Sequence, residues 1–231
     1  MAAPLLDHPR QLTESVARVL DGRAVEHEHL TGFVNSRFDA FLNQLFASGS
    51  VAPREAAAAL EGRPGFVWLI EEPAPLVMYG MTAATGAPLV APVDAEIRQV
   101  RSHADIDAWH EIYCEVLGAD ARGRGDWHAV HEALGPGGEG SLVLYVAHVD
   151  GSPAATGGVY FDQGWAGLYC FATRERMRGR GLASALVHAS HEAARARGIE
   201  RALLQATPMG RPVYAAAGYR EERPLPLLRS R

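Results

Sequence analysis

The chain contains no lysine: all 22 of its basic residues are arginine. That absence excludes Schiff-base chemistry on a lysine amine of the chain, and it excludes a P-loop, whose phosphate site needs its lysine. Cysteine is nearly as scarce, with Cys114 and Cys170 alone among 231 residues. They form neither a CxxC pair nor metal-ligand spacing, and their apolar surroundings suit reduced, buried thiols. A basic excess is missing too. The formal charge is −5, which speaks against a general nucleic-acid binder. The N-terminus, MAAPLLDHPR, lacks the apolar core of a signal peptide, and no apolar run reaches the length of a membrane span. These absences predict a soluble cytoplasmic protein with no metal, no nucleic-acid partner and no membrane partner.

Apolar residues are plentiful at 48%, enough at this length for one large domain or two modest ones. Residues 83–95, AATGAPLVAPVDA, mix Gly, Pro and small residues and predict a boundary. Residues 1–90 then form a smaller N-terminal α/β region, with helices at Gln11–Leu20 and Pro53–Leu60 and a strand at Phe66–Glu71. Phe33, Phe38, Phe41, Leu42, Leu45 and Phe46 recur there at near-helical spacing. Glu26-His27-Glu28-His29 has no further ligands in a recognisable arrangement and reads as polar surface.

Residues 95–231 are easier to read. Glu96–Arg101 alternates as a half-buried strand does, and Asp105–Leu117 is an amphipathic helix with Ile106, Trp109, Ile112, Tyr113 and Val116 on one face. A second helix follows at Asp126–Leu134, then a GPGGEG loop. Ser141–His148 and Ala155–Phe161 predict a hairpin about Gly151-Ser152-Pro153, and Trp165–Ala172 a strand buried on both faces. Gly181–Arg197 is a long helix with Leu182, Leu186, Ala189 and Ala193 as its buried stripe and Gly198 as its stop. A strand at Arg201–Ala206, a short helix at Pro212–Gly218 and a last strand from Tyr219 complete the order. That order predicts an α/β fold, a mixed central sheet flanked by helices.

The chemistry concentrates between the buried strand and the long helix, in Arg176-Met177-Arg178-Gly179-Arg180-Gly181-Leu182-Ala183. The first backbone N–H groups of a helix have no intrahelical partner, and the helix dipole adds partial positive charge there. Gly179 and Gly181 permit close backbone approach, while Arg174, Arg176, Arg178 and Arg180 form a cationic cluster. A pyrophosphate suits such a turn. A dinucleotide-binding Rossmann turn is one residue away, at Gly179-x-Gly181-x-x-Ser184. Its context differs: that turn opens the first βαβ unit and has an acid at the end of the next strand, where this chain has Gln205.

Arg176-x-x-Gly179-x-Gly181 resembles the Q/R-x-x-G-x-G/A signature of the GNAT superfamily of N-acetyltransferases. Val213-Tyr214-Ala215-Ala216-Ala217-Gly218-Tyr219 is similar to the family's closing element, with Tyr219 in place of the usual Phe. The resemblance covers about residues 95–231, keeps the order of elements, and implies a GNAT-like fold. It implies acetyl-CoA as co-substrate and an amine acceptor, a small molecule or a peptide. Backbone groups of Phe171, Ala172 and Thr173 would pair with the pantetheine arm, and one of their N–H groups could stabilise the oxyanion. Arg176, Arg178, Gly179, Arg180, Gly181, Leu182 and Ala183 would surround the pyrophosphate, held by backbone N–H groups from Arg178 to Ala183. Tyr214 would protonate the departing thiolate, which a phenol can do at neutral pH. Family members with an N-terminal extension often fold it as a degenerate partner domain. RPGFVWLIEEPAP is loosely similar to the linking strand of such extensions. No Arg/Gly-alternating turn occurs before residue 121, so one CoA per chain is expected. A homodimer is compatible with this reading.

Two rival readings stay open: a non-catalytic acyl-CoA sensor or scaffold, and an acyltransferase acting on a hydroxyl. His110, Glu111, Glu115, His128, His131 and Glu132 lie on the two helices expected to border the acceptor. Helix surfaces collect such residues anyway, and none is singled out as general base.

Overall fold

The computed structural model of the chain describes residues 3–69, 76–86, 95–135 and 140–230. In chain order the elements begin with α1 (Asp7–Val19), β1 (Arg23–His27), β2 (Leu30–Val34), β3 (Gln44–Ala47), α2 (Pro53–Ala59), β4 (Gly65–Trp68) and β5 (Leu76–Ala84). They continue with β6 (Glu96–Gln99), α3 (His103–Leu117), α4 (Arg124–Leu134), β7 (Leu142–Val149), β8 (Ser152–Asp162) and β9 (Trp165–Thr173). Last come α5 (Leu182–Arg195), β10 (Arg201–Ala206), α6 (Arg211–Ala216) and β11 (Arg220–Ser230). All these strands join one mixed sheet, ordered β1-β2-β3-β4-β11-β5-β10-β9-β8-β7-β6. None of the described helices is long and apolar enough to cross a membrane.

Local chemistry accounts for the element ends. Ser102 accepts from the Asp105 N–H while the Asp105 carboxylate accepts from the Ser102 N–H, a reciprocal cap that starts α3. Gly118, left-handed at φ 67°, ends it. Alternation along β7 then divides the core. Val143, Tyr145 and Ala147 face α5, whereas Leu142, Leu144 and Val146 pack with Trp109, Ile112 and Trp127 of α3 and α4. Each fully buried Leu or Val on either face contributes on the order of 1.5–3 kcal/mol of transfer free energy. On α5 the buried stripe lies on Leu182, Leu186, Ser190, His191 and Ala194. Ala189 and Ala193 are half-buried, so the helix is rotated slightly from the orientation that its apolar residues alone suggest.

The N-terminal part departs further from the sequence reading. Phe33 to Phe46 is not a helix but β2, a loop and β3. Asn43 organises that loop: its Oδ1 accepts from the N–H groups of Asn35 and Ser36, and its Nδ2 donates to the carbonyls of Ser36 and Pro64. A buried side-chain amide thus supplies the partners that helical backbone would have found in itself. Strand β4 stops at Trp68; the predicted end at Glu71 lies outside the described residues, as do 87–94 of the predicted boundary and 136–139 of the predicted loop.

The sheet runs across residue 90. β5 lies between β10 and β11, antiparallel to both, and β11 continues the sheet onto β4. Helix α1 covers the α3 face of the sheet, where Leu12 and Val16 join the cluster of Trp109, Trp127 and Tyr169.

Candidate functional site

Strand β10 runs parallel to β9 and pairs with it only from Arg201↔Trp165 to Leu204↔Leu168. β9 continues to Thr173 with β8 as its partner, so among the described residues no strand pairs with the side of Phe171, Ala172 and Thr173 that faces β10. A bulge sits at the same place. Thr156 pairs with Ala172 but Gly158 pairs with Tyr169, leaving Cys170 and Phe171 opposite Gly157. Cys170 takes a left-handed φ of 58°, rare for a residue with a Cβ. The bulge sends Cys170 to the α3 face and Phe171 to the α5 face.

The Phe171 ring lies over Gly157, where an added Cβ would come within 3.0 Å of it. On its other side it meets Tyr214 edge-on, with ring centroids 6.1 Å apart at 71°. Tyr214 arrives on α6, whose start is set by Pro212 in the first turn. The ring is half-buried, and burial pushes its pKa well above the usual phenol value, so the hydroxyl is protonated throughout the neutral range.

The turn between β9 and α5 has the features an anion requires. Gly179 and Gly181 are left-handed at φ 74° and 76°, a conformation that costs a residue with a Cβ roughly 1–2 kcal/mol. As N-cap of α5, Gly181 offers no side-chain acceptor, so the first N–H groups of the helix are not capped by a side chain. Arg176, Arg178, Gly179 and Arg180 are exposed, and nothing lies within 4 Å of a Cβ built at Gly179. Leu182 is buried in the core and presents only its backbone to the turn, beside half-buried Ala183. Phe171, Tyr214, Met177 and Leu182 pack in one cluster, which puts the turn and the open side of β9 on the same face of the sheet.

Arg174 does not belong with the other arginines. Its side chain is buried and held by Glu111 at 2.5 Å, Glu115 at 3.0 Å and the Pro153 carbonyl at 3.2 Å. The cationic cluster of the sequence is therefore three exposed arginines and one neutralised one. Charge pattern alone carries no signal for this, because Glu111 and Glu115 are about sixty positions earlier.

The candidate acid–base residues on α3 and α4 are dispersed. His110 is fully buried against Cys114, and His131 is buried with its Nε2 donating to the Val100 carbonyl. His128 pairs with Asp107, and Glu132 with His103. Among the described residues, no three His, Cys, Asp or Glu side chains are grouped to hold a metal ion. Sequence reasoning passed over Asp39, which is fully buried on the opposite side of β9 from the turn. It accepts from Trp127 Nε1 at 2.7 Å, from the Phe41 N–H at 2.8 Å and from the Tyr113 hydroxyl at 3.0 Å. Burial nonetheless outweighs these donors and raises its pKa. An isolated Asp among aromatics in SRFDAF gives no hint of such a knot.

Residues 106–219 match the acetyltransferase (GNAT) family. No curated protein matches the chain. Among solved structures, a GCN5-related N-acetyltransferase from Kribbella flavida shares the fold, with a TM-score of 0.69 at 18% identity over 100% of this chain and 96% of that one. One from Sphaerobacter thermophilus gives 0.60 at 17% identity over 94% and 85%. A GCN5-related N-acetyltransferase-like protein from Streptococcus suis gives 0.60 at 14% identity over 97% and 95%.

Proposed function

Because the chain belongs to the GNAT acetyltransferase family, we propose that it moves an acetyl group from acetyl-CoA directly to an amine of a small molecule or peptide. The observation that carries this reading is the packing of Tyr214, Phe171, Met177 and Leu182 in one cluster on the α5 face, the face onto which the glycine turn opens, with β9 unpaired by β10 beyond Leu168.

In this proposal, Phe171, Ala172 and Thr173 bind the pantetheine arm along the open side of β9, as an added strand would. The backbone from Arg178 to Ala183 receives the pyrophosphate at the N-terminus of α5, and Arg176, Arg178 and Arg180 supply full positive charge around it. A backbone N–H near the bulge stabilises the oxyanion as the amine lone pair attacks the thioester carbon. The C–N bond forms, the C–S bond breaks, and Tyr214 gives its proton to the departing thiolate; the proton lost by the amine leaves to solvent. A half-buried phenol kept neutral by burial suits that donation. Residues 1–90 hold no second turn in which Arg and Gly alternate, so they are assigned no CoA; their α1 and the loop before β3 back the opposite face of β9.

Calorimetry with CoA tests the reading. One equivalent should bind per chain, and Gly181→Glu, which places a carboxylate and a strained left-handed residue at the turn, should weaken binding at least about tenfold. Two equivalents of similar affinity, or an unchanged affinity in folded Gly181→Glu, would reject the assignment. A screen of amines and alcohols for acetyl-CoA consumption then identifies the acceptor.

A further inference from the structure

We propose that Arg174 is a positioning residue for the acyl-CoA turn, clamped from α3 by Glu111 and Glu115. The proposal rests on the acyl-CoA reading above and adds a residue that the family signature does not include.

A guanidinium is rarely withdrawn from water unless several acceptors meet it. Arg174 meets them from two elements: its Nη2 donates to Glu111 on α3 and its Nη1 to the Pro153 carbonyl at the start of β8, while the Glu115 carboxylate, one turn after Glu111, lies 3.0 Å from its Nε as an ion pair. Its backbone is fixed as firmly. The Arg174 N–H donates to the Ala154 carbonyl, extending the β8–β9 ladder by one residue, and the Arg174 carbonyl accepts from the Met177 N–H, which begins the 3₁₀ turn. Arg174 is thus the point where the strand ends and the turn begins, and its side chain ties that point to a helix on the opposite face of the sheet from α5.

Downstream, Gly179 and Gly181 have no Cβ to restrict them, and Arg176, Arg178 and Arg180 are exposed. A glycine-rich turn loses conformational entropy when it orders around a ligand, so fixing its entry reduces the cost of closing it on a pyrophosphate. Both carboxylates are half or more exposed, which makes this clamp a modest contributor to global stability. Its effect belongs to the geometry of the turn.

The test compares two ligands. Arg174→Gln, and separately the double variant Glu111→Gln/Glu115→Gln on the exposed side of α3, should each raise the Kd for CoA about tenfold. Neither should move the Kd for S-acetylpantetheine, read by ligand-observed NMR, by more than about twofold, because that probe has no pyrophosphate. Arg174→Lys keeps the charge without the fork and should fall between wild type and Arg174→Gln. Wild-type CoA affinity in both folded variants, or an equal loss for both ligands, overturns the proposal. The double variant leaves Arg174 and its backbone in place, so it decides the matter if Arg174→Gln does not fold. Gly181→Glu in the same titration separates the two ideas: if it loses CoA while the clamp variants do not, only the clamp fails. If wild type binds no CoA, the acyl-CoA reading fails first and the clamp with it.

Discussion

The two faces of β9 bury the same kind of polar pair and use it differently. On the α3 face, His8 Nδ1 lies 2.8 Å from the Tyr169 hydroxyl; on the α5 face, His191 Nε2 lies 2.8 Å from the Tyr219 hydroxyl. Both histidines are almost fully buried, and burial lowers both pKa values to about 4. Around His8 the surroundings are closed, with α1, Phe41 and the Asp39 knot packed over Tyr169 and the bulge. Around His191 the same sheet leads outward to half-buried Tyr214 and the exposed glycine turn. On the reading proposed above, the difference teaches that buried polar residues do not mark the site here. The proposed site lies where, among the described residues, no strand pairs with the β10 side of β9 beyond Leu168 and no side chain caps the start of α5, whereas the polar residues on the other face pack into a closed wall.

The strongest way to break this contrast is to remove the closed face. Deleting residues 1–85 takes away α1 and the loop over Tyr169, and it also removes β5 from between β10 and β11. No soluble folded product is expected, read by expression and circular dichroism. A soluble, monomeric, active remainder would show that β10 and β11 need no strand between them.

Acid titrates both faces together. A histidine whose pKa falls from 6.5 to about 4 on folding contributes stability that is whole above pH 6.5 and is lost as pH drops toward 4. Each of the two accounts for roughly 3 kcal/mol over that window. Asp39, with its raised pKa, works in the other direction, binding its proton more tightly in the folded chain and offsetting part of the loss. Urea midpoints should therefore decline steadily from pH 6.5 to 4.5, and His8→Gln or His191→Gln should each flatten the slope. A midpoint independent of pH would mean that neither ring is held neutral by burial.

The smallest free-energy change sharpens the contrast most. Tyr214→Phe retains the ring packed on Phe171 and removes only the transferable proton. Turnover should fall about 10- to 100-fold, the low end for a general acid because thiolate leaves readily. CoA affinity should stay within a few-fold. Affinity lost with turnover intact would make Tyr214 a binding residue, and no change in either would transfer the proton to water or another side chain.

How far the sequence could be read depended on the range of the interactions involved. The β7–β8 hairpin, α3, α5 and β10 emerge within a few residues of their predicted ends because alternation, helical period and caps are local signals. Phe33 to Phe46 misled for the same reason: near-helical spacing is a local pattern too, and the Asn43 amide that makes a loop of it joins residues 35, 36 and 64. The Arg176–Ala183 turn was legible as a glycine–arginine junction, yet the same alternation hid that Arg174 is withdrawn from it.

By itself the sequence determined the order of elements, the glycine turn ahead of a helix and a tyrosine on a short helix after the next strand, because each depends on residues close together in the chain. Only the tertiary structure decided that β10 leaves β9 after Leu168, that a bulge sends Cys170 and Phe171 to opposite faces, and that β5 inserts beside β10. Those are outcomes of strand pairing between segments far apart in sequence, where register is set by the competition of whole faces for burial rather than by any one residue's preference.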